Sequence, residues 1–388
     1  MRVLIAPDSF GSTLGPVQTA TAMGAGWSRG APHDEVELLP LSDGGPGFLD
    51  VLGRALGGTT VMTTVSDPLG REVPAAVLLV DREGRRTAWI EASQATGIHL
   101  LGADERDPGL TSTWGVGALL ETALDEGATT VVLGVGGGST NDAGAGLLAA
   151  LGAGPASALA RGGLALADAP DDALVGLPSV LDRLAGVDLV LATDEDTPLL
   201  GLQSTSAVES PRKGATAGQA QALENALGRF TDVLRRALPE PPRDLLTGLP
   251  RRLDREPGAG AAGGLGYALL AMGARRVGAV DTVLRETGFG PAAARSDLVV
   301  TGAGRVDWST LQGSVVAGVA AATLETARPT VLVAGECLVG RRETMSLGLA
   351  GTYAVADSAR EVEAMVADPV ETLAARTARV ARTWSPAR

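Results

Sequence analysis

Aspartates and serines set among glycines are the residues of this sequence best suited to chemistry. Three such clusters each follow a short apolar run: Asp8 and Ser9 after 3–6, Asp43 with Gly44 and Gly45 after 36–39, and 302–307, with Arg305 and Asp307, after 297–301. Carboxylates at these points can hold Mg²⁺ or take the proton of a hydroxyl, and glycines let backbone N–H groups approach an anion. Taken singly, each loop also reads as a local device, Asp43 as a helix N-cap and Asp8 as a turn former. A fourth cluster, Asp194, Glu195 and Asp196, follows the run 187–192 and reads as a Mg²⁺ or general-base site, or as a solvated loop. Two longer glycine segments, GVGGGSTNDAGAG at 134–146 and PGAGAAGGLG at 257–266, resemble anion-binding loops. The first lacks the lysine of a Walker loop and reads equally as a tight turn, and the second equally as a linker.

Composition narrows the chemistry further. With one cysteine, Cys337, and two histidines, His33 and His99, the sequence leaves little room for histidine-rich metal sites or Cys/His nucleophile pairs. Carboxylates, hydroxyls and glycine loops remain. Lys213 is the single lysine, all other side-chain cations except histidine being arginine. A formal net charge of -13 argues against a nucleic-acid partner. No window reaches the length of a membrane span, and the start MRVLIAPDSF lacks signal-peptide chemistry, so the expectation is a cytoplasmic protein without a membrane partner.

The elements that must position these clusters alternate as strand, loop and helix. The runs 3–6 and 36–39 lead through glycine loops into helices at 17–27 and 46–56, the opening of a doubly wound parallel sheet. The stretches 60–65, 73–80 and 86–91 are β-rich and separated by turn signals, which predicts antiparallel pairing. Helices follow at 113–124 and 219–238, strands at 130–133 and 187–192, and the Pro/Arg-rich run 239–257 reads as exposed. Strands at 297–301, 330–334 and 352–356, with helices at 315–326 and 370–384, restore the parallel pattern. At 388 residues, two domains are the better expectation. The reading is an α/β chain with a discontinuous doubly wound domain, 1–60 and 292–388, and an inserted α/β domain, 61–291, carrying the long glycine loops.

PDSF, LSDGG, SDPLGR, IEAS, TSTWGVG, GVGGGSTNDAGAG, TDEDTPLLG, PRKGA, PGAGAAGGLG and TGAGRVD occur in one order over nearly the whole chain. In that order and spacing the sequence resembles the bacterial glycerate kinases, which phosphorylate the 2-hydroxyl of D-glycerate. The resemblance implies two α/β domains with the active site in the cleft between them, ATP and Mg²⁺ as cofactors, and a small-molecule substrate. A homodimer is left open. It implies Asp43, Asp194 and Asp307 as catalytic residues, with Asp194 and Asp196 as metal ligands. Asp8, Ser9, Asp67, Arg71, Ser93 and Arg305 would bind the substrate. Gly136, Gly137, Gly138, Ser139, Asn141, Asp142, Lys213, Gly260, Gly263 and Gly264 would bind the nucleotide.

The departures from the family pattern concern charge. DSFKGSL of the family is Asp8 to Leu14 here, with Gly11 in place of lysine; GEGRID becomes 302–307, with Ala303 in place of an acid; and a second lysine becomes Ser314. DGGEGT becomes Asp43-Gly44-Gly45-Pro46-Gly47-Phe48, and the cysteine and asparagine of CDVDNPL become Thr193 and Thr197. The expectation is a kinase weak on D-glycerate, or a scaffold reassigned to another acceptor or to binding alone, with Trp308 and Phe48 suiting a less anionic ligand.

Overall fold

The computed structural model describes residues 1–238, 243, 246, 248 and 251–385. The strands named among them are, in chain order, β1 (Arg2–Ile5), β2 (Glu35–Leu38), β3 (Thr59–Ser66), β4 (Glu72–Arg82), β5 (Arg85–Glu91), β6 (Thr130–Gly134), β7 (Asp188–Ala192), β8 (Arg275–Val277), β9 (Leu298–Val306), β10 (Thr330–Cys337) and β11 (Gly351–Ala354). The chain divides into two compact units, Met1–Gly57 with Gly278–Arg388, and Gly58–Val277.

In the first unit the order β11-β10-β9-β1-β2 is parallel throughout, each strand being returned to the same end by a helix. The central strands are apolar on both faces, as a doubly covered sheet demands. Val3, Ile5, Val300 and Val333 pack with Trp27, Met23 and Leu373 on one side, while Leu332, Ala334, Val316 and Ala320 fill the other. Residues 278–291, read from the sequence as part of the insert, belong to this unit. Helices Ala279–Glu286 and Phe289–Arg295 bury Val280, Val283 and Phe289 and pack against helices Phe48–Leu56 and Val315–Glu325 and against β1.

The second unit holds a six-stranded sheet, β3-β4-β5-β6-β7-β8, antiparallel from β3 to β5 and parallel from β5 to β8. The β-rich stretch thus pairs as its turn signals predict, and the chain is α/β in both units. Of the run 239–257, the residues 239–242, 244, 245, 247, 249 and 250 lie outside the described residues; in its remaining part Asp254 is buried and ion-paired with Arg252 at 2.8 Å. No helix among the described residues is long and apolar enough to cross a membrane.

Candidate functional site

Ligands of open α/β sheets gather beyond the carboxyl ends of the strands. In the first unit three such ends are stitched together by backbone bonds. Asp8 N donates to Gly302 O at 2.9 Å, Gly304 N to Ser9 O at 3.2 Å, and Leu41 N to Pro7 O at 2.9 Å. The half-buried Asp8 accepts a 2.6 Å bond from Ser9 N. Desolvation pushes the Asp8 carboxyl well above the ordinary carboxylate range, and the nearby Asp43 carboxylate pushes it further, against the pull of the Ser9 bonds. Asp43 itself is exposed and accepts a local bond, from Gly45 N at 3.0 Å. It does not cap the following helix, whose N-cap is Gly47. Two carboxyls held close, one disposed to keep its proton, are the raw material of acid–base chemistry.

A carboxyl with a raised folded-state pKa favours the folded state below its unfolded pKa, and the advantage is lost as pH rises through the folded value. Asp8→Asn should therefore raise Tm at pH 7 and leave it nearly unchanged below pH ~4, the ordinary carboxylate range. Equal effects at both pH values, read by thermal denaturation, would contradict this electrostatic account.

The segment 302–307 is not the loop its glycines predict. β9 continues to Val306 and pairs with β10 through Gly302 and Val333, Ala303 and Ala334, and Arg305 and Glu336. The glycines serve close approach: a Cβ at Gly304 would overlap the Gly11 backbone. Arg305 is exposed and stands 3.5 Å from Asp307. Asp307 caps the short helix Trp308–Leu311, accepting from Ser309 N at 2.9 Å and Ser309 Oγ at 2.6 Å. The Ser309 hydroxyl bond holds the Asp307 carboxyl below its ordinary range despite partial desolvation. The positions of the two missing lysines are local backbone devices here. Gly11 is exposed with φ +62°, and Ser314 caps helix Val315–Glu325, accepting from Ala317 N at 3.2 Å and donating to Thr310 O at 2.6 Å.

In the second unit the candidate substrate residues are engaged with protein groups. Asp67 is buried and accepts Arg71 Nε at 2.6 Å, Arg71 N at 2.9 Å and Leu69 N at 2.9 Å. The rest of the Arg71 guanidinium reaches Glu105 Oε1 at 2.6 Å and Leu100 O at 3.1 Å. Ser93 is buried and donates to Glu91 at 2.6 Å. The Arg71 contacts tie the β3–β4 turn to the 100–105 segment.

The two glycine loops pack on one another. Ala143 N donates to Gly263 O at 3.0 Å, and a Cβ at Gly263 would overlap the Thr140 carbonyl. Gly260 and Gly264 are likewise buried, against Pro198 and Leu199. Asp142 anchors the first loop: its Oδ2 accepts Thr113 N at 2.8 Å, Thr113 Oγ1 at 3.0 Å and Gly146 N at 3.2 Å, while Oδ1 accepts Gly144 N at 3.1 Å. Burial pushes the Asp142 carboxyl up and the donors pull it back. Asn141 donates to Ser206 and Ser210 at 3.2 and 2.9 Å, and Ser139 Oγ donates to Thr96 O at 2.9 Å. The buried Lys213 donates to Thr140 O at 2.9 Å; burial lowers its pKa, opposed by Glu195, Glu209 and Asp142. Gly136, Gly137 and Gly138 form the more open rim of this loop, and Gly137 is exposed.

Asp194 and Asp196 follow β7, Asp194 half-buried and Asp196 exposed with an ion pair to Arg276 at 2.6 Å. Among the described residues no three His, Cys, Asp or Glu side chains gather as a metal site. Two carboxylates nevertheless suit Mg²⁺ bound together with phosphate oxygens, because that ion commonly takes only one or two protein carboxylates there.

The partners that sequence reading missed are Thr113 for Asp142, Ser206 and Ser210 for Asn141, and Glu105 for Arg71. Only the first left a signal, the TSTWGVG motif.

The glycerate kinase family profile matches residues 3–385. A glycerate kinase of Bacillus subtilis (strain 168) is 36% identical over 368 residues, 94% of this chain and 92% of that protein. Glycerate 2-kinase of Escherichia coli (strain K12) is 34% identical over 340 residues, covering 86% of this chain and 85% of that one. A crystal structure from Salmonella typhimurium LT2 carrying a glycerate kinase 2 designation superposes with a TM-score of 0.73 at 32% identity, covering 99% of this chain and 98% of that one.

Proposed function

Because the chain belongs to the glycerate kinase family, we propose that it transfers the γ-phosphoryl group of ATP to a hydroxyl of a small hydroxy acid in the cytoplasm, with D-glycerate a poor acceptor. The observation that carries this reading is the Asp8–Asp43 carboxyl pair, retained at the strand ends of the first unit while the family's lysines at 11 and 314 are absent. Phosphoryl transfer depends on positioning and on stabilising charge. A site that keeps its acid–base groups and loses cations retains the reaction type and loses rate.

In this reading Asp43 takes the proton of the acceptor hydroxyl and Asp8 and Ser9 orient it. Arg305, exposed at the end of β9, pairs with the acceptor carboxylate. Arg71 and Asp67 position the β3–β4 turn, since their polar groups are already paired. The rim Gly136, Gly137 and Gly138 meets the nucleotide phosphates. Ser139, Asn141, Asp142 and Lys213 hold that rim in shape from behind, and Gly260, Gly263 and Gly264 support it through their packing. Asp194 and Asp196 would hold Mg²⁺; the ion, when bound, neutralises phosphate charge.

A second reading, reassignment to a less anionic acceptor, is favoured by Trp308, which is 68% exposed directly after Asp307.

Binding tests the premise. A ligand present at ~100 times its Kd stabilises the folded state by ~2.7 kcal/mol. Mg-ATP should raise the unfolding temperature of the parent, and D-glycerate alone should raise it less. A parent whose Tm is indifferent to Mg-ATP at millimolar concentration would sink the kinase reading.

A further inference from the structure

A polar pocket lies within the first unit, built on β10 and β11 at the edge of the sheet. It encloses about 410 Å³ and is lined by Arg341, Thr352, Tyr353, Asp357 and Arg376 among others. Its base is a fixed stack. Trp384 Nε1 donates to Tyr353 Oη at 2.9 Å, and the Arg376 guanidinium carbon lies 5.6 Å from the centroid of the Tyr353 ring. The ring holds the guanidinium by cation–π attraction but satisfies none of its N–H groups. Arg376 makes no hydrogen bond or ion pair with any described residue, and its Nε is buried without a partner.

A buried guanidinium N–H without an acceptor, as at Arg376 Nε, is costly, and a planar fork of donors matches phosphate or carboxylate oxygens. Arg341 opens the helix Arg341–Ser346 on the same pocket and brings a second cation. Burial holds the Arg376 guanidinium below its ordinary range and the nearby Arg379 lowers it further, while Asp357, Tyr353 and Glu361 oppose the shift. Glu361 is occupied in part with Asp357 N and Ser358 Oγ, at 3.0 and 2.9 Å.

We propose that this pocket binds a small phosphate-bearing anion, held by Arg376 on its Tyr353 platform and by Arg341. Asp357 is placed to accept a hydroxyl of a ligand that carries one, so a phosphate monoester of a small hydroxylated compound fits better than inorganic phosphate. None of the residues assigned to phosphoryl transfer lines this pocket, and the inference stands apart from that assignment.

The test is an NMR titration of arginine Nε–Hε signals in the full-length protein. The Arg376 signal is assigned by its absence from Arg376→Lys. Inorganic phosphate and glycerol 3-phosphate are added separately, with sodium chloride at matched ionic strength as control. A saturable shift of the Arg376 signal with either phosphate, not reproduced by chloride and weakened about tenfold in Arg341→Gln, is the expected result. Tighter binding of the ester identifies a phosphorylated metabolite as ligand; equal binding identifies the phosphate group itself. No saturable shift with either compound, a shift matched by chloride, or an affinity unchanged in the Arg341 variant would overturn the proposal. Arg341 is exposed, so that variant reports binding even if replacement of Arg376 disturbs the fold.

Discussion

Restoring both family lysines, as Gly11→Lys with Ser314→Lys, should raise turnover of D-glycerate by ~10² or more over the parent. Removing one preorganised donor to a charge that develops in the transition state costs ~10² to 10³ in kcat. If the two lysines act independently, the parent would fall from a typical ~10 s⁻¹ to ~10⁻³ s⁻¹ or less. Groups that act as a unit are not additive, so recovery should fall short of that full factor. The structure adds a cost on the other side. Gly11 sits at φ +62° with open space around a Cβ, so lysine fits sterically but strains the backbone by about 1–2 kcal/mol. At position 314 lysine replaces a helix cap, a loss of about 1 kcal/mol. Assays therefore belong at a temperature where the variant is demonstrably folded, with Mg-ATP binding as the control. A folded, nucleotide-binding double variant no faster than the parent would separate the lost cations from the lost rate.

The second large effect concerns stability. Asp142→Ala should lower the unfolding free energy by about 3–5 kcal/mol, because it strands the N–H groups of Thr113, Gly144 and Gly146 in a buried site and leaves a void. Asp142→Asn keeps the shape and one acceptor oxygen, so it should cost roughly half as much. Denaturant unfolding of the two variants, followed by a probe within the second unit, measures both. Losses below about 1 kcal/mol for alanine would mean that the loop 134–146 is held by its packing against 257–266 and not by its carboxylate.

How far the sequence revealed this molecule depends on the range of the interaction. The alternation of apolar runs, glycine loops and helices at both ends announced the parallel sheet, and the turn residues around 67–70 and 81–84 announced the antiparallel β3, β4 and β5. β8 gave no apolar signal because it is only Arg275, Arg276 and Val277 at the sheet edge. The end of β9 was misplaced for a different reason. Glycines at 302 and 304 look like a loop in sequence, yet their missing side chains admit Met23 and the Phe10–Gly11 backbone, contacts between residues nearly 300 apart.

The same ambiguity runs through the site. Asp8 and Asp43 were legible as strand-end carboxylates, and the β1–β2 pairing that follows from the fold brings their loops to one end. That burial raises Asp8 while Asp43 stays exposed depends on packing that no local pattern encodes. Arg71 reads as a free cation until Glu105 and the Leu100 carbonyl are found beside it. Gly260, Gly263 and Gly264 read as an anion nest, and their buried contacts with 140–143 and 197–199 come from residues more than sixty positions away. Glycine marks a close approach; the sequence does not say whether the approaching group is a phosphate or another stretch of backbone.

The most direct test of the central claim is ³¹P NMR of the parent protein with Mg-ATP and, in separate tubes, D-glycerate and a panel of small 2-hydroxy acids. An ATP-dependent phosphate monoester from at least one panel member, formed faster than the ester of D-glycerate, is the expected result. D-Glycerate turned over at the ~10 s⁻¹ of an ordinary kinase, or ADP and ester absent from every tube, would contradict it.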